Sequence, residues 1–497
     1  MKLTKIFFTI NYSLLIILSS CSVSKQINKQ AQNNLLKDSA VSTGHIGISI
    51  FEPATNTYWY NNNATTYFIP ASNTKLFSLY AGMKYLGDSL VGLRYDSTNT
   101  INGIIPTGDP TFLHPDFKNQ PVLDFLQKNI RYINWSKRYI NSIWQTNALG
   151  NGWAWNDYND DYMAERSPFP IYGNVIDFKL NQDSFYIDPF KGTNNMISYP
   201  SVYKNKISQN GYAIPKRNFY LKRSRFENRF YVEQASSNFS RQTIPFVTNG
   251  IYTTAYILND LLYDFEYNRN IKEDSLNRLA AQKEHRDYLS TLKPKANSDS
   301  IKNVFLIDMF GGGLSDDVDL TKYKVIHSQP TDSLFKPMMH RSDNFFAEQT
   351  LLMASNEHLG YMNDEKIIDT ILNSDLKDIP QRPKWVDGSG LSRYNLFTPQ
   401  DFVYILNKLK NEFGFARMKN ILATGGTGTI ASYYKKDAGF IYAKTGTLSN
   451  NCALSGYLIT KKGKLLIFSV LANNYITGAT PIRRAVEKFI EGIREKY

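Results

Sequence analysis

The chain is poor in cysteine and histidine. Two cysteines, Cys21 and Cys452, among 497 residues exclude a disulfide-stapled scaffold and a cysteine-based zinc cluster. The six histidines (His45, His114, His285, His327, His340 and His358) are too scattered to form a ligand pair at metal spacing, so neither metal nor cofactor is expected. There is no internal repeat, and beyond the first twenty residues no apolar run approaches the ~20 residues that a spanning helix needs. Acid is in deficit: 44 Asp and Glu against 57 Lys and Arg leave a net charge of +13. That excess favours anionic partners. The densest basic stretch is Lys216, Arg217, Lys222, Arg223, Arg225 and Arg229, interleaved with Phe219, Tyr220 and Phe226. It reads as a strand with a solvated basic face, so no nucleic-acid partner is expected. Aromatic residues, by contrast, are abundant at 14%, with 42% apolar overall, which excludes a disordered chain. The length allows two or three domains.

The first residues read as an address. Lys2 and Lys5 precede a short, mostly apolar run from Ile6 to Ile17, and Leu18-Ser19-Ser20-Cys21 follows. Basic start, apolar run and small residues at the cut are the layout of an export signal over residues 1–20. A cysteine at that cut resembles the bacterial lipobox, in which the cysteine is lipidated. The mature protein is therefore expected on the periplasmic side of the envelope, held to the membrane by Cys21, with polar residues 21–40 as a tether. Cys452 is left without a partner and is expected to be buried as a small apolar residue.

Further along, His45–Phe51 alternates Ile46, Ile48 and Ile50 with Gly47 and Ser49, and a turn leads to a second strand at Thr57–Tyr60. Leu76, Leu79, Tyr80, Met83 and Leu86 recur at helical spacing after Pro70-Ala71-Ser72. Residues 95–241, rich in Asn, Tyr, Phe, Gly and Pro, read as a β-rich insertion without a long helix. It separates a first part of a catalytic domain (41–94) from a second (242–497). Helical patterns occupy Tyr252–Tyr267, Glu273–Leu292, Ser333–Ala354 and Pro399–Leu409. Three strands follow at Phe440–Gly446, Ala453–Thr460 and Leu465–Ala472, and Pro481–Tyr497 is an amphipathic helix. Strands at both ends with helices between imply an α/β (α+β) fold: one antiparallel sheet closed by the two termini and flanked by helices.

Three short motifs carry chemistry. Ser72-x-x-Lys75 is one of seven serines with a lysine three residues on, and the pattern alone is nearly worthless. Only Ser72 follows Pro-Ala at the start of a strongly apolar helix, where residues three apart share a face and the lysine amine can lie beside the hydroxyl. A serine needs a base to be a nucleophile, and a desolvated neutral lysine can be one. The plainer alternative is that Ser72 caps the helix and Lys75 is solvated. Ser342-Asp343-Asn344 heads an apolar helical run, where a cap is again the plain alternative. Lys444-Thr445-Gly446-Thr447 occurs once, in a strand. Its glycine leaves room for a ligand backbone along the strand edge, and its ammonium and hydroxyl can bind a carboxylate.

In that order the three motifs resemble those of penicillin-binding proteins and class A β-lactamases. Asp387-Gly388-Ser389-Gly390-Leu391-Ser392-Arg393, Thr398-Pro399, Gly425–Thr429, Ala443–Leu448 and Ala453–Tyr457 narrow the resemblance. So does Gly108-Asp109-Pro110. They resemble the D-alanyl-D-alanine carboxypeptidase/endopeptidase family, the class C low-molecular-mass penicillin-binding proteins. The 270 residues from Ser72 to Ser342 are too many for a compact class A β-lactamase and match that family's large insertion.

The resemblance implies the penicillin-binding/β-lactamase-like transpeptidase fold and an acyl-serine peptidase acting on peptidoglycan stem peptides. Ser72 would be the nucleophile and Lys75 the base, with its pKa depressed by burial and by nearby Lys444. Ser342 would relay a proton, and Asn344 would hold Lys75 and the substrate amide. Lys444 and Thr445 would bind the terminal carboxylate, with Gly446 beside them. The Ser72 and Thr447 amides would form the oxyanion hole. β-Lactams would acylate Ser72. The competing readings are a β-lactamase, a transpeptidase and a lipid-tethered, non-catalytic wall-binding protein.

Overall fold

The computed structural model of the chain describes residues 23–96, 103–129, 143–181, 218–255 and 320–497, with short pieces at 184–188, 201–202, 207–208, 211–213, 257–258, 261–262 and 265. The leader 1–20, Cys21, Lys216, Arg217 and the expected helix Glu273–Leu292 lie outside the described residues.

A six-stranded antiparallel sheet forms the centre. Its order is Ala423–Thr424, Ile441–Leu448, Asn451–Ile459, Leu465–Asn473, His45–Glu52, Thr57–Asn62. The N-terminal hairpin therefore pairs with the last strand, in a register that sets Ile48 opposite Val470. Ile46, Ile48 and Ile50 enter one apolar layer with Ile482, Val486, Phe489, Ile490 and Ile493 of the C-terminal helix Ala479–Lys496. The intervening Gly47 does not face solvent: a Cβ there would stand 2.5 Å from the Phe68 ring, so the small residue admits the second layer. That layer packs Leu76, Phe77 and Tyr80 of helix Lys75–Tyr85 with Phe346 and Leu351 of helix Asn344–Leu359. Phe402, Ile405 and Leu406 of helix Pro399–Phe413 complete it. Each such side chain, fully buried, contributes roughly 1.5–3 kcal/mol.

Two expectations are corrected. The helical pattern over Ser333–Ala354 is two helices, Thr331–His340 and Asn344–Leu359. Between them Ser342 adopts φ 63°, and Asp343 restarts the helix by accepting from the Phe346 amide. The polar stretch expected to act as a tether is docked from Val23 onward. Residues 23–31 are helical, and Ile27, Ala31 and Leu35, four apart, are buried against the C-terminal helix.

A third apolar cluster, including Ile176, Phe178, Phe219, Leu221, Phe230 and Ile244, lies between a five-stranded and a three-stranded sheet. The basic stretch belongs here and is not a uniformly solvated face. Arg223 is buried and donates to the Tyr158 carbonyl, while Lys222 and Arg229 pair with Glu233 and Glu227. Where described, Tyr252–Tyr267 is helical. No helix among the described residues is long and apolar enough to cross a membrane. Cys452 is free and buried.

Candidate active site

Ser72 lies in a tight 3₁₀ turn, Ala71–Thr74, that runs straight into helix Lys75–Tyr85. Neither helical segment uses a side-chain cap, so the Ser72 hydroxyl is not a capping group. The turn is wedged from two sides. Gly446 of strand Ile441–Leu448 presses on one side, where a Cβ would meet the Pro70 carbonyl oxygen at 2.5 Å. Gly390, at φ +80°, closes the other, where a Cβ would meet the Ala71 oxygen at 1.9 Å. Gly446 thus makes room for the turn that carries Ser72, not only for a ligand. Ala71 itself sits at φ 48°, a sparsely populated conformation that the wedge holds in place. Asn73 donates to Ser455 on the neighbouring strand at 2.7 Å and ties the turn to the sheet.

One turn along, Lys75 is fully buried and its Nζ has three oxygen neighbours: Ser72 Oγ at 2.9 Å, Asn344 Oδ1 at 2.7 Å and the Ser389 carbonyl at 2.7 Å. Asn344 is oriented by its own amide, whose Nδ2 donates to the Tyr162 carbonyl at 2.9 Å. Two of the three neighbours are carbonyls and can only accept. A neutral amine therefore spends its two N–H bonds on Asn344 and Ser389 and is left with its lone pair toward the Ser72 hydroxyl.

Burial pulls the Lys75 pKa down to about 8, against the pull of the nearby carboxylates Asp387, Glu348 and Asp343, which favour the cation. This revises the expected cause: burial acts as anticipated, but the mutual repulsion of the two lysines is felt at Lys444. Lys444 is also fully buried and is held well below its ordinary value by burial, then by the Lys75 and Arg483 cations. Its Nζ donates to Ser342 Oγ at 2.8 Å and to the Thr445 carbonyl at 2.6 Å. Because Asp343 is the helix cap, the Ser342 hydroxyl is free to face the lysine. Thr445 Oγ1 is 2.7 Å from Thr429 Oγ1, and Thr447 is exposed at the strand's outer end. Only the two residues Ala423–Thr424 pair beyond this strand, opposite Ala443 and Tyr442, so the edge from Lys444 to Leu448 lies past its neighbour.

Behind Lys75 lies a buried charged network that the motifs did not announce. Glu348 accepts from the Ser389 amide at 2.7 Å, and so fixes the peptide whose carbonyl holds Lys75. Arg166, 2% exposed, reaches Glu348 at 3.4 Å and Asp364 at 2.6 Å. Burial and nearby Asp387 push the Glu348 carboxyl up to about 7, with Arg166 opposing. Asp387 accepts from the Gly390 and Ser392 amides, and so shapes the loop that carries Ser389.

Ser72, Lys75 and Asn344 thus share one set of hydrogen bonds and Ser342 and Lys444 a second, close enough that the Lys75 charge is felt at Lys444, with Thr445, Gly446 and Thr447 along the strand that carries Lys444. Cys21 is outside the described residues. Ser389 and Thr429 fall in stretches already singled out, but their contacts depend on loop geometry. Tyr162, Arg166 and Arg483 carried no motif at all. Among the described residues no group of three or more His, Cys, Asp or Glu could hold a metal ion.

A buried lysine bonded to a serine hydroxyl, on a turn packed against an antiparallel sheet, can serve acyl transfer. The profile of the D-Ala-D-Ala carboxypeptidase 3 (S13) family matches residues 28–233 and 318–494, well over half of the chain, and the chain belongs to that family. The D-alanyl-D-alanine carboxypeptidase DacB of Haemophilus influenzae is 23% identical over 448 residues, 84% of this chain and 82% of that protein. A carboxypeptidase DacB of Mycolicibacterium smegmatis is 29% identical over 171 residues, 32% of this chain and 37% of that protein. The crystal structure of penicillin binding protein 4 (dacB) from Haemophilus influenzae superposes with a TM-score of 0.63 at 18% identity, over 94% of this chain and 99% of that one, and shares its fold.

Proposed function

We propose that the protein is a serine-type D-Ala-D-Ala carboxypeptidase and endopeptidase that hydrolyses peptidoglycan stem peptides through an acyl-serine, and that β-lactams are trapped on the same serine. The family supplies the reaction class. The observation that supports the residue roles is the hydrogen-bonding at Lys75, where two carbonyl acceptors leave the lone pair of the neutral amine for Ser72. In this reading Ser72 Oγ attacks the carbonyl between two D-alanines as its proton passes to Lys75. The oxyanion rests on the Ser72 and Thr447 amides. The C–N bond breaks, and the proton taken by Lys75 reaches the leaving nitrogen through Ser342. Lys444 and Thr445 face the substrate's terminal carboxylate. Water then cleaves the ester and restores Ser72.

Digestion of purified crosslinked and monomeric muropeptides, read by mass spectrometry, tests the dual activity. Both substrates should be cleaved at the D-alanyl bond. Loss of the terminal alanine from monomers with crosslinked dimers left intact would remove the endopeptidase half.

Cell-wall chemistry places the protein outside the cytoplasm. A diacylated Cys21 would hold it at the membrane, since a single chain binds only marginally. Labelled palmitate should enter the wild-type protein and not Cys21→Ser. An unlabelled wild-type protein would reduce Leu18–Cys21 to an ordinary cleavage site.

A further inference from the structure

The outer end of the Lys444 strand carries a cation for which the reaction above has no use. Arg483 opens the second turn of the C-terminal helix and reaches across to the strand, where its Nη2 donates to Thr447 Oγ1. Its Nε is buried without a hydrogen-bond partner. The space beside it is lined by Val470, Ala472, Ile482 and Val486 and by the polar side chains of Tyr433, Tyr434, Thr445 and Cys452, of which the buried Cys452 thiol lies against Arg483, but no carboxylate lines it. Its neighbour Arg484 pairs with Glu487, whereas Arg483 forms no ion pair among the described residues. The first helical turn holds no acidic residue, and its cap, Gly478, contributes no side chain. The positive end of an 18-residue helix thus adds to the same charge. Lys444 feels that charge from the other side of the strand and is itself bonded only to a hydroxyl and a carbonyl. Two cations and a helix end therefore converge on Thr445–Thr447 without a carboxylate to balance them. Positive charge held together in this way is stabilised when an anion arrives.

Thr447 shows where that anion would sit. Its oxygen accepts from the guanidinium, so its own hydroxyl proton must be donated elsewhere. The residue is exposed, and the free direction is outward, along the open strand edge. We infer that Arg483 is a positioning residue that sets the substrate's C-terminal specificity: it fixes Thr447 as a hydrogen-bond donor and biases the strand end toward a ligand with a free carboxylate. This deepens the proposed function and rests on it for the identity of the ligand.

Binding separates the two. The full chain carrying Ser72→Ala is titrated by calorimetry with an acetylated peptide ending in D-Ala-D-Ala and with the same peptide as its C-terminal amide. Arg483→Gln in that background should weaken the free acid about tenfold, a magnitude suited to one charge-assisted hydrogen bond, and the amide less than about twofold. Arg483→Lys keeps the charge but not the directed bond and should fall between. Thr447→Val should weaken the acid too, and adding Arg483→Gln to it should then cost little more, because the route through the hydroxyl is gone. Equal weakening of acid and amide, or additive losses in the double variant, would reduce Arg483 to a tie between helix and sheet and overturn the inference. A lowered melting temperature alone does not mimic the expected result, since it does not distinguish acid from amide. If neither peptide binds the Ser72→Ala parent, the substrate assignment fails and this inference with it. If both bind but wild-type protein cleaves neither, only the catalytic reading fails.

Discussion

Replacing Ser72 with alanine should abolish covalent labelling by penicillin. Intact-mass analysis of the wild-type protein should show one adduct, and the variant none. The loss should be complete rather than partial, because the residue supplies the oxygen to which the acyl group is attached. The fold should survive, since the hydroxyl caps no helix. An adduct that persists in Ser72→Ala would move the nucleophile elsewhere, with Ser342 as the next hydroxyl in the cluster.

Acylation should also follow the ionisation of Lys75. The base acts when neutral, and its pKa lies at about 8, so the rate should rise with pH and level off above that value. Lys75→Arg keeps a cation that does not deprotonate and should lower the acylation rate by about a hundredfold or more at every pH tested. Glu348→Gln should act in the opposite sense on the profile. The Glu348 carboxylate favours the Lys75 cation, while a glutamine oxygen can still accept from the Ser389 amide. Removing that charge should therefore shift the rising limb toward lower pH. A pH-independent wild-type rate from 6 to 10, a range of about two units on either side of the Lys75 value, would contradict Lys75 as the base. A limb that does not move in Glu348→Gln would contradict the carboxylate's influence.

Much of the central architecture was legible because its signals are local. Alternating Ile46, Ile48 and Ile50, the apolar face of the C-terminal helix and the strands Ala453–Thr460 and Leu465–Ala472 are each signals within a single element. The meeting of Ser72, Lys75, Ser342 and Lys444 was approachable because three motifs fall in order along the chain. What failed to read was whatever depends on elements far apart in sequence. The new helix head at Ser342-Asp343-Asn344 was legible as a cap, but the end of the preceding helix was not, because the break is made by a positive φ at Ser342 and not by a glycine or a proline at that position. Residues 23–36 look like a tether by composition, and their buried stripe of Ile27, Ala31 and Leu35 has meaning only once the C-terminal helix lies beneath it. Arg166 and Glu348 are 182 positions apart, and no local rule pairs them. The same holds for Arg483 and Thr447, 36 positions apart on a helix and a strand edge.

The most direct test of the central reading is the fate of one defined substrate. A purified monomeric muropeptide ending in D-Ala-D-Ala is incubated with the wild-type protein and with Ser72→Ala, and the products are weighed by mass spectrometry. The wild-type protein should release a single terminal alanine and leave the rest of the muropeptide whole, while Ser72→Ala leaves the substrate untouched. An intact substrate after incubation with wild-type protein that penicillin still acylates would contradict the assignment of this chain as a D-Ala-D-Ala carboxypeptidase.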